Sequence, residues 1–166
     1  DYPIEAVTTM NNVAEEVERD PTYTGIIEAS RAAKRETIAD GIVAAAREIA
    51  ETTDIKAICC YTSSGTTAYL TARERPRVPI IAMTNFVNTA RRLALTWGTE
   101  CGITGELERF KQAVVNAARA AQAGGYADAN DQILVTAGVP FNTPGTTNIL
   151  RVAPCDERLI YNTDPE

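Results

Sequence analysis

Three short runs constrain this chain more than anything else in it. Residues 57–62 (AICCYT), 79–84 (PIIAMT) and 132–137 (QILVTA) are apolar almost throughout instead of alternating apolar with polar. A strand wetted on one face alternates, whereas a strand covered by helices on both faces needs a continuous apolar run. The segments between these runs have helical spacing. Residues 33–52 place Ile38, Ile42, Ala45, Ala46 and Ile49 on one face, and 66–75 form a short helix stopped by Pro76. A third helix starts at an Asn85 cap, aligns Val87, Ala90, Ala94 and Trp97, and ends at Gly98. A fourth, 106–123, carries Leu107, Phe110, Val114, Ala117 and Ala121 and is stopped by Gly124 and Gly125. A short, weaker strand is expected at 100–104 (ECGIT) and a last strand at 148–153 (NILRVA). Such regular alternation predicts a layered α/β fold on a largely parallel sheet.

The two ends read differently. Over residues 1–20, Asp1 is placed to cap a helix, Pro3 suits its first turn, and Ile4, Val7, Met10, Ala14 and Val17 recur at helical spacing. A polar break at Glu15–Pro21 ends it. Residues 21–30 read as a linker, 31–153 as the main domain, and 154–166 as a polar tail expected to be partly disordered. A sequence that opens at Asp1 without an initiator methionine or signal sequence is expected to come from a longer product.

Composition excludes several classes. A chain of 166 residues holds one substantial core. No apolar run approaches the roughly 18 to 20 residues that cross a bilayer, so no membrane is expected. The net charge of −6, with Lys and Arg scattered, leaves no basic face for nucleic acid. Cys59, Cys60, Cys101 and Cys155 contain no CxxC pair, and there is no histidine to complete a zinc site or activate a serine or cysteine. They read as buried, reduced thiols of a cytoplasmic protein. Cys59 and Cys60, adjacent on a strand, must point to opposite faces.

Ligands of an open α/β sheet bind at the carboxyl ends of its strands. Two loops stand there. Thr62-Ser63-Ser64-Gly65-Thr66-Thr67 joins a strand to a helix, where unpaired backbone N–H groups, the helix dipole and hydroxyl donors suit a phosphate. It is not a GxxxxGK[ST] motif and holds no lysine. A plain capped turn uses the same residues. The second loop, residues 138–147, has two glycines and two prolines (GVPFNTPGTT) and is shaped either to close over a ligand or simply to bridge two strands. Arg73, Arg75, Arg77, Arg91 and Arg92 either supply charge to a phosphate or an intersubunit contact, or make a solvated face. Trp97 reads as core.

Several segments in order resemble the pyruvate kinase family. DYPIEAV with TMNNVAEEVE is similar to the helix that closes that family's catalytic (β/α)8 barrel. RETIADGIVAAAREIAETTDIKAICCYTSSGTTAYLTARERPRVPIIAMT, then ARRLALTWG, then DQILVTAGVPFNTPGTTNILRV, resemble its C-terminal domain, so that 1–153 are covered. The resemblance implies a three-layer α/β/α fold with a five-stranded, mostly parallel sheet whose last strand is antiparallel. It implies a homotetramer, and an effector such as fructose 1,6-bisphosphate held between the two loops by Thr62, Ser63, Ser64, Gly65, Thr66 and Thr67 and by Gly138, Gly145, Thr146 and Thr147. Bisphosphate-responsive members often carry Lys or Arg where Ser63 and Thr66 stand here; a sugar monophosphate, a nucleotide monophosphate such as AMP, or no effector is the alternative. The family's phosphoryl transfer from phosphoenolpyruvate to ADP uses magnesium (Mg), potassium (K), a lysine and an arginine of the barrel. The resemblance places all of these upstream, leaving no catalytic residue, metal or cofactor in this chain. A structural assembly module with a vestigial pocket, and a free-standing phosphate-handling α/β enzyme, are the competing readings.

Overall fold

The polar break after the first helix is both a stop and a start. In a computed structural model describing residues 1–30, 37–141, 143 and 145–163, helix α1 (Pro3–Arg19) ends at Asp20, whose N–H donates to Val17 O. The Asp20 carboxylate then accepts from Thr22 N at 2.7 Å and from the Thr22 hydroxyl, which opens helix α2 (Pro21–Ser30). Residues 21–30, expected as a linker, are therefore helical, with Pro21 in the first turn where its missing N–H costs nothing. Tyr2, not Asp1, holds the capping position of α1, at φ 58° and with no side-chain cap. Contacts divide the chain into Asp1–Arg35 and Glu36–Glu166.

The second unit follows the expected alternation. Its elements are α3 (Ile38–Thr52), β1 (Ile55–Tyr61), α4 (Thr66–Arg73), β2 (Ile80–Thr84), α5 (Val87–Leu93), β3 (Thr99–Ile103), α6 (Phe110–Ala123), β4 (Gln132–Gly138), β5 (Thr147–Pro154) and α7 (Glu157–Thr163). Residues 33–36 of the expected first helix lie outside the described residues. The sheet order is β3-β2-β1-β4-β5; β1, β2, β3 and β4 run parallel and β5 is antiparallel to β4. The most deeply buried strands are β1, β2 and β4, the three that read as continuous apolar sequence.

Right-handed crossovers force the layers. The chain steps outward from β1 to β2 to β3, then back across to β4, so the connecting helix must change face. One core packs Ala46 and Ala50 of α3, Ala68 and Ala72 of α4 and Leu93 of α5 against Ile58, Cys60, Ile80 and Leu134. The other packs Ala113, Val114, Ala117 and Ala121 of α6 against Cys59, Ile81, Ile133 and Val135. Cys59 and Cys60 thus serve opposite layers, as their adjacency requires.

Four further expectations need correction. Helix α3 buries Asp40, Val43, Ala46, Arg47 and Ala50 rather than the set Ile38, Ile42, Ala45, Ala46 and Ile49, and Ile38 is exposed. Helix α5 stops at Leu93, and its buried positions are Thr89 and Leu93 rather than the set Val87, Ala90, Ala94 and Trp97. The polar Thr89 turns inward because its hydroxyl finds an acceptor there, and Phe86, not Asn85, sits at the start. Trp97 is not core: it is half-buried in the turn after α5, with the Arg75 guanidinium 4.4 Å above its ring. The tail is ordered through α7, with Cys155 and Ile160 fully buried. Arg119 of α6 meets the Glu157 carboxylate with two nitrogens, at 3.0 and 2.7 Å, and Lys111 lies 4.8 Å from the Tyr161 ring. We expect Ile160→Ala to cost about 2–5 kcal/mol in urea unfolding; a change near zero would show that α7 does not belong to the core.

Helices α3 and α4 are joined by charge. Arg73 Nη2 donates to Asp40 Oδ1 at 2.6 Å, the Asp40 side chain being almost wholly buried. The Thr37 hydroxyl first, and the Arg73 guanidinium second, hold the Asp40 carboxyl below its ordinary value. A depressed folded-state value contributes stability above the unfolded value that is lost as pH falls through the folded one. The stability gap between the wild type and Asp40→Asn should therefore narrow below about pH 4. Urea midpoints measured across that range check it, and a gap independent of pH would refute the linkage.

Candidate functional site

The sheet has one place where its connections diverge. From β1 the chain leaves through α4 toward β2, and β4, on the other side of β1, is entered from α6. Adjacent strands whose connections run opposite ways leave a crevice at their carboxyl ends. The loops after β1 and β4 flank that crevice, and they are the two loops singled out by sequence.

The first loop is built by its own hydroxyls. Thr62 N–H continues the ladder by donating to Met83 O at 3.0 Å, and Thr62 Oγ1 accepts from Gly65 N at 2.9 Å. Gly65 sits at φ +93°, and a Cβ there would lie 3.3 Å from both Leu93 and Tyr69, so glycine is needed for backbone and space alike. Ser64 Oγ and Thr66 Oγ1 pair at 2.9 Å. Two carbonyls of the turn are tied to α5: Thr89 Oγ1 donates to Ser63 O at 2.9 Å and Arg92 Nη2 to Ser64 O at 3.2 Å. Among the described residues no acceptor pairs with the backbone N–H groups of Ser63, Ser64, Thr67 or Ala68. The carbonyls are taken up on one side and the donors are left at the start of α4.

The second loop is pinned at its base. The Asn148 side chain spans the Val139 peptide groups, accepting from Val139 N at 3.0 Å and donating to Val139 O at 2.7 Å. Thr146 Oγ1 donates to Thr143 O at 2.7 Å. A Cβ on Gly138 would lie 2.5 Å from Thr146 Oγ1 and 2.8 Å from Thr146 O, which no side chain tolerates. Gly145, at φ +81°, takes the left-handed turn. Residues 142 and 144 are not described.

One contact brings the loops together. Thr67 Oγ1 and Thr147 Oγ1 lie 2.6 Å apart, and both residues are buried. Of the residues named from sequence, Thr67 and Thr147 therefore spend their hydroxyls on each other, and Thr146 spends its own within its loop. Ser64 and Thr66 are exposed, and Thr62 and Ser63 half-buried. Sequence reasoning missed Thr89 and Asn148. Thr89 and Arg92 stand three residues apart on one helix face, a spacing that would have paired them.

The thiols beneath the site are inert. Burial pushes Cys60 up, against the lowering effect of its Thr136 and Thr71 contacts, and pushes Cys59 up further. Both are held as neutral thiols rather than nucleophiles. No group of three or more His, Cys, Asp or Glu side chains placed to hold a metal occurs among the described residues. Arg73 is paired with Asp40, and Arg77 lines a cleft of about 450 Å³ at the amino ends of β2 and β3 with Pro76, Pro79, Trp97 and Tyr126.

This is an open α/β domain with two loops in contact at its switch point, without the helix-bound Gly-rich and lysine-bearing phosphate motif of a nucleotide triphosphatase. Residues 40–153 match the family model for the pyruvate kinase alpha/beta domain, and the chain belongs to that family. It is 40% identical over 153 residues to the pyruvate kinase of Methylorubrum extorquens, covering 92% of this chain and 32% of that protein. The pyruvate kinase of Clostridium acetobutylicum is 34% identical, over 91% of this chain and 32% of that protein. A crystal structure of a Cryptosporidium parvum pyruvate kinase superposes with a TM-score of 0.80 at 25% identity, over 93% of this chain and 30% of that one. The chain thus spans about a third of the length of these relatives.

The hydroxyl pair is testable alone. Thr67→Val or Thr147→Val leaves one buried hydroxyl without its partner and should cost about 1–3 kcal/mol, while the double variant should cost less than the sum. Additive losses in a double-mutant cycle would show that the contact contributes nothing.

Proposed function

We propose that this chain is the regulatory and assembly domain of a cytoplasmic pyruvate kinase and binds a phosphorylated small-molecule effector in the two-loop crevice. The observation that carries the reading is the buried Thr67–Thr147 contact, which holds the loops after β1 and β4 against one another at the switch point. The N–H groups of Ser63, Ser64, Thr67 and Ala68, which have no partner among the described residues, lie in and just before the first turn of α4, whose positive end favours an anion. Phosphate oxygens accept from these donors and from Ser64 and Thr66 hydroxyls, while Gly145 and Thr146 offer contacts to the rest of the ligand.

The reaction itself, phosphoryl transfer from phosphoenolpyruvate to ADP with magnesium and potassium, belongs to the larger part of such an enzyme. The apolar stripe Ile4, Val7, Met10 and Val17, exposed along α1, supports a covering body of that kind. Assembly into a homotetramer uses the open edge of β5, an eight-residue strand that presents Val152. Such an edge is a template for pairing with a second copy.

Calorimetry of the 166-residue chain with fructose 1,6-bisphosphate, ribose 5-phosphate and AMP tests the effector reading. Binding to at least one, weakened by Ser64→Ala, is expected; no heat with any of them would favour a purely structural module. Metal-dependent turnover of phosphoenolpyruvate with ADP by the chain alone would overturn the division of labour. For assembly, Val152→Lys should shift sedimentation toward the monomer, and an unchanged profile would place the interface elsewhere.

A further inference from the structure

We infer that Arg92 is the counter-ion of the crevice and that the ligand it selects carries a single phosphoryl group; this rests on the effector reading above. The loop itself has no cation: Thr62 to Thr67 are all neutral, and residues 138–147 contain no Lys or Arg. Burying part of a phosphate dianion against neutral donors alone forfeits the charge-assisted contacts that are roughly twice as strong as neutral ones. Of the other arginines named from sequence, Arg73 is committed to Asp40, Arg75 lies over the Trp97 ring, Arg77 is at the opposite end of the strands, and Arg91 is exposed on α5 with no contact to the turn among the described residues. Arg92 alone among the described residues brings a guanidinium onto the turn, through Ser64 O at 3.2 Å and, more loosely, Thr89 Oγ1 at 3.5 Å. Both contacts use Nη2. Nη1 and Nε have no acceptor among the described residues, and the side chain is exposed. A guanidinium carries five donors in a planar fork. Arg92 therefore reaches a phosphate beside Ser64 without first breaking a strong ion pair, exchanging at most a neutral carbonyl for a dianion. The far loop offers hydroxyl and glycine backbone but no Lys or Arg, which suits the sugar hydroxyls of a phosphate monoester better than a second phosphate.

The test uses the 166-residue chain with ribose 5-phosphate, fructose 1,6-bisphosphate and ribose as probes. Arg92→Gln should weaken ribose 5-phosphate binding at least about tenfold, a loss of the size expected for a charge-assisted contact. It should also flatten the salt dependence of binding. Arg92→Lys should recover part of the affinity, because it restores charge without the fork. The urea midpoint should stay unchanged, since the side chain is exposed. Ribose should not compete. If the wild type binds a phosphate ester and Arg92→Gln binds it equally well, the counter-ion assignment fails while the effector site stands. If the bisphosphate binds tenfold or more tightly than the monophosphate, the single-phosphate assignment fails. If the wild type binds no phosphate ester at all, the effector reading fails and this inference with it.

Discussion

Two strands, β1 and β4, lie side by side in the middle of the sheet with a helical layer over each face, and the rest of the second unit is arranged around their burial. Their side chains have no wet side to choose. Ile58 and Cys60 enter one layer while Ala57 and Cys59 enter the other, and all four are wholly removed from water. Each buried aliphatic side chain contributes about 1.5–3 kcal/mol to this arrangement. The chain leaves β1 through α4 toward β2 and reaches β4 through α6 from β3 on the other side, and right-handedness sends α4 and α6 to opposite faces. The place between the two loops is a by-product of that topology: at the carboxyl ends the chain leaves β1 through α4 toward β2 and leaves β4 in the other direction toward β5. Function at this place needed only loops able to line it.

How much of this the sequence disclosed depends on the kind of signal. Strands covered on both faces write themselves as unbroken apolar runs, so β1, β2 and β4 are legible to within one or two residues. The cysteine pair is assigned to two faces by adjacency alone, because the period of a strand permits nothing else. The misreadings have a common physical cause: a side chain whose role is fixed by a distant partner. Thr89 looks like surface in sequence and is buried because Ser63 O, 26 residues away, accepts its hydroxyl at 2.9 Å. Trp97 looks like core by spacing, but α5 ends four residues earlier and the ring lies under Arg75 instead. The tail looks polar because its deep anchors, Cys155 and Ile160, stand among charged neighbours, whose pairing with α6 (Arg119 with Glu157) no local pattern reveals. At the start, Asp20-Pro21 reads as a break in both languages; that a helix resumes at once follows from the Asp20 carboxylate capping the next turn, which propensity alone does not show.

The two loops illustrate the same division at finer grain. Their composition was legible: hydroxyls and a glycine after β1, glycines and prolines after β4. Their partnership was not, because the residues that unite them, Thr67 and Thr147, are 80 positions apart and read in sequence as two more hydroxyls facing a ligand. In the fold they face one another and are buried. That changes what the site consists of. The donors left for the proposed effector are the exposed Ser64 and Thr66 hydroxyls and the unpaired backbone N–H groups, while the Thr62, Thr67, Thr146 and Thr147 hydroxyls act as struts.

A site built from struts has a different energetic character from one built from charges. Neutral donors are individually weak partners for an anion, yet holding them in place before the ligand arrives removes much of the ordering that binding otherwise requires. Here the ordering is done by contacts that need no ligand: Thr62 on Gly65, Thr89 on Ser63 O, Thr67 on Thr147, and Asn148 on both peptide groups of Val139. Each contributes about 0.5–1.5 kcal/mol to the folded state and together they fix both rims of the crevice. Charge then has only to be supplied at one point, from outside the loop. In the proposed site Arg92 would do so, from a helix whose Thr89, one turn back, is already fastened to that same turn of chain.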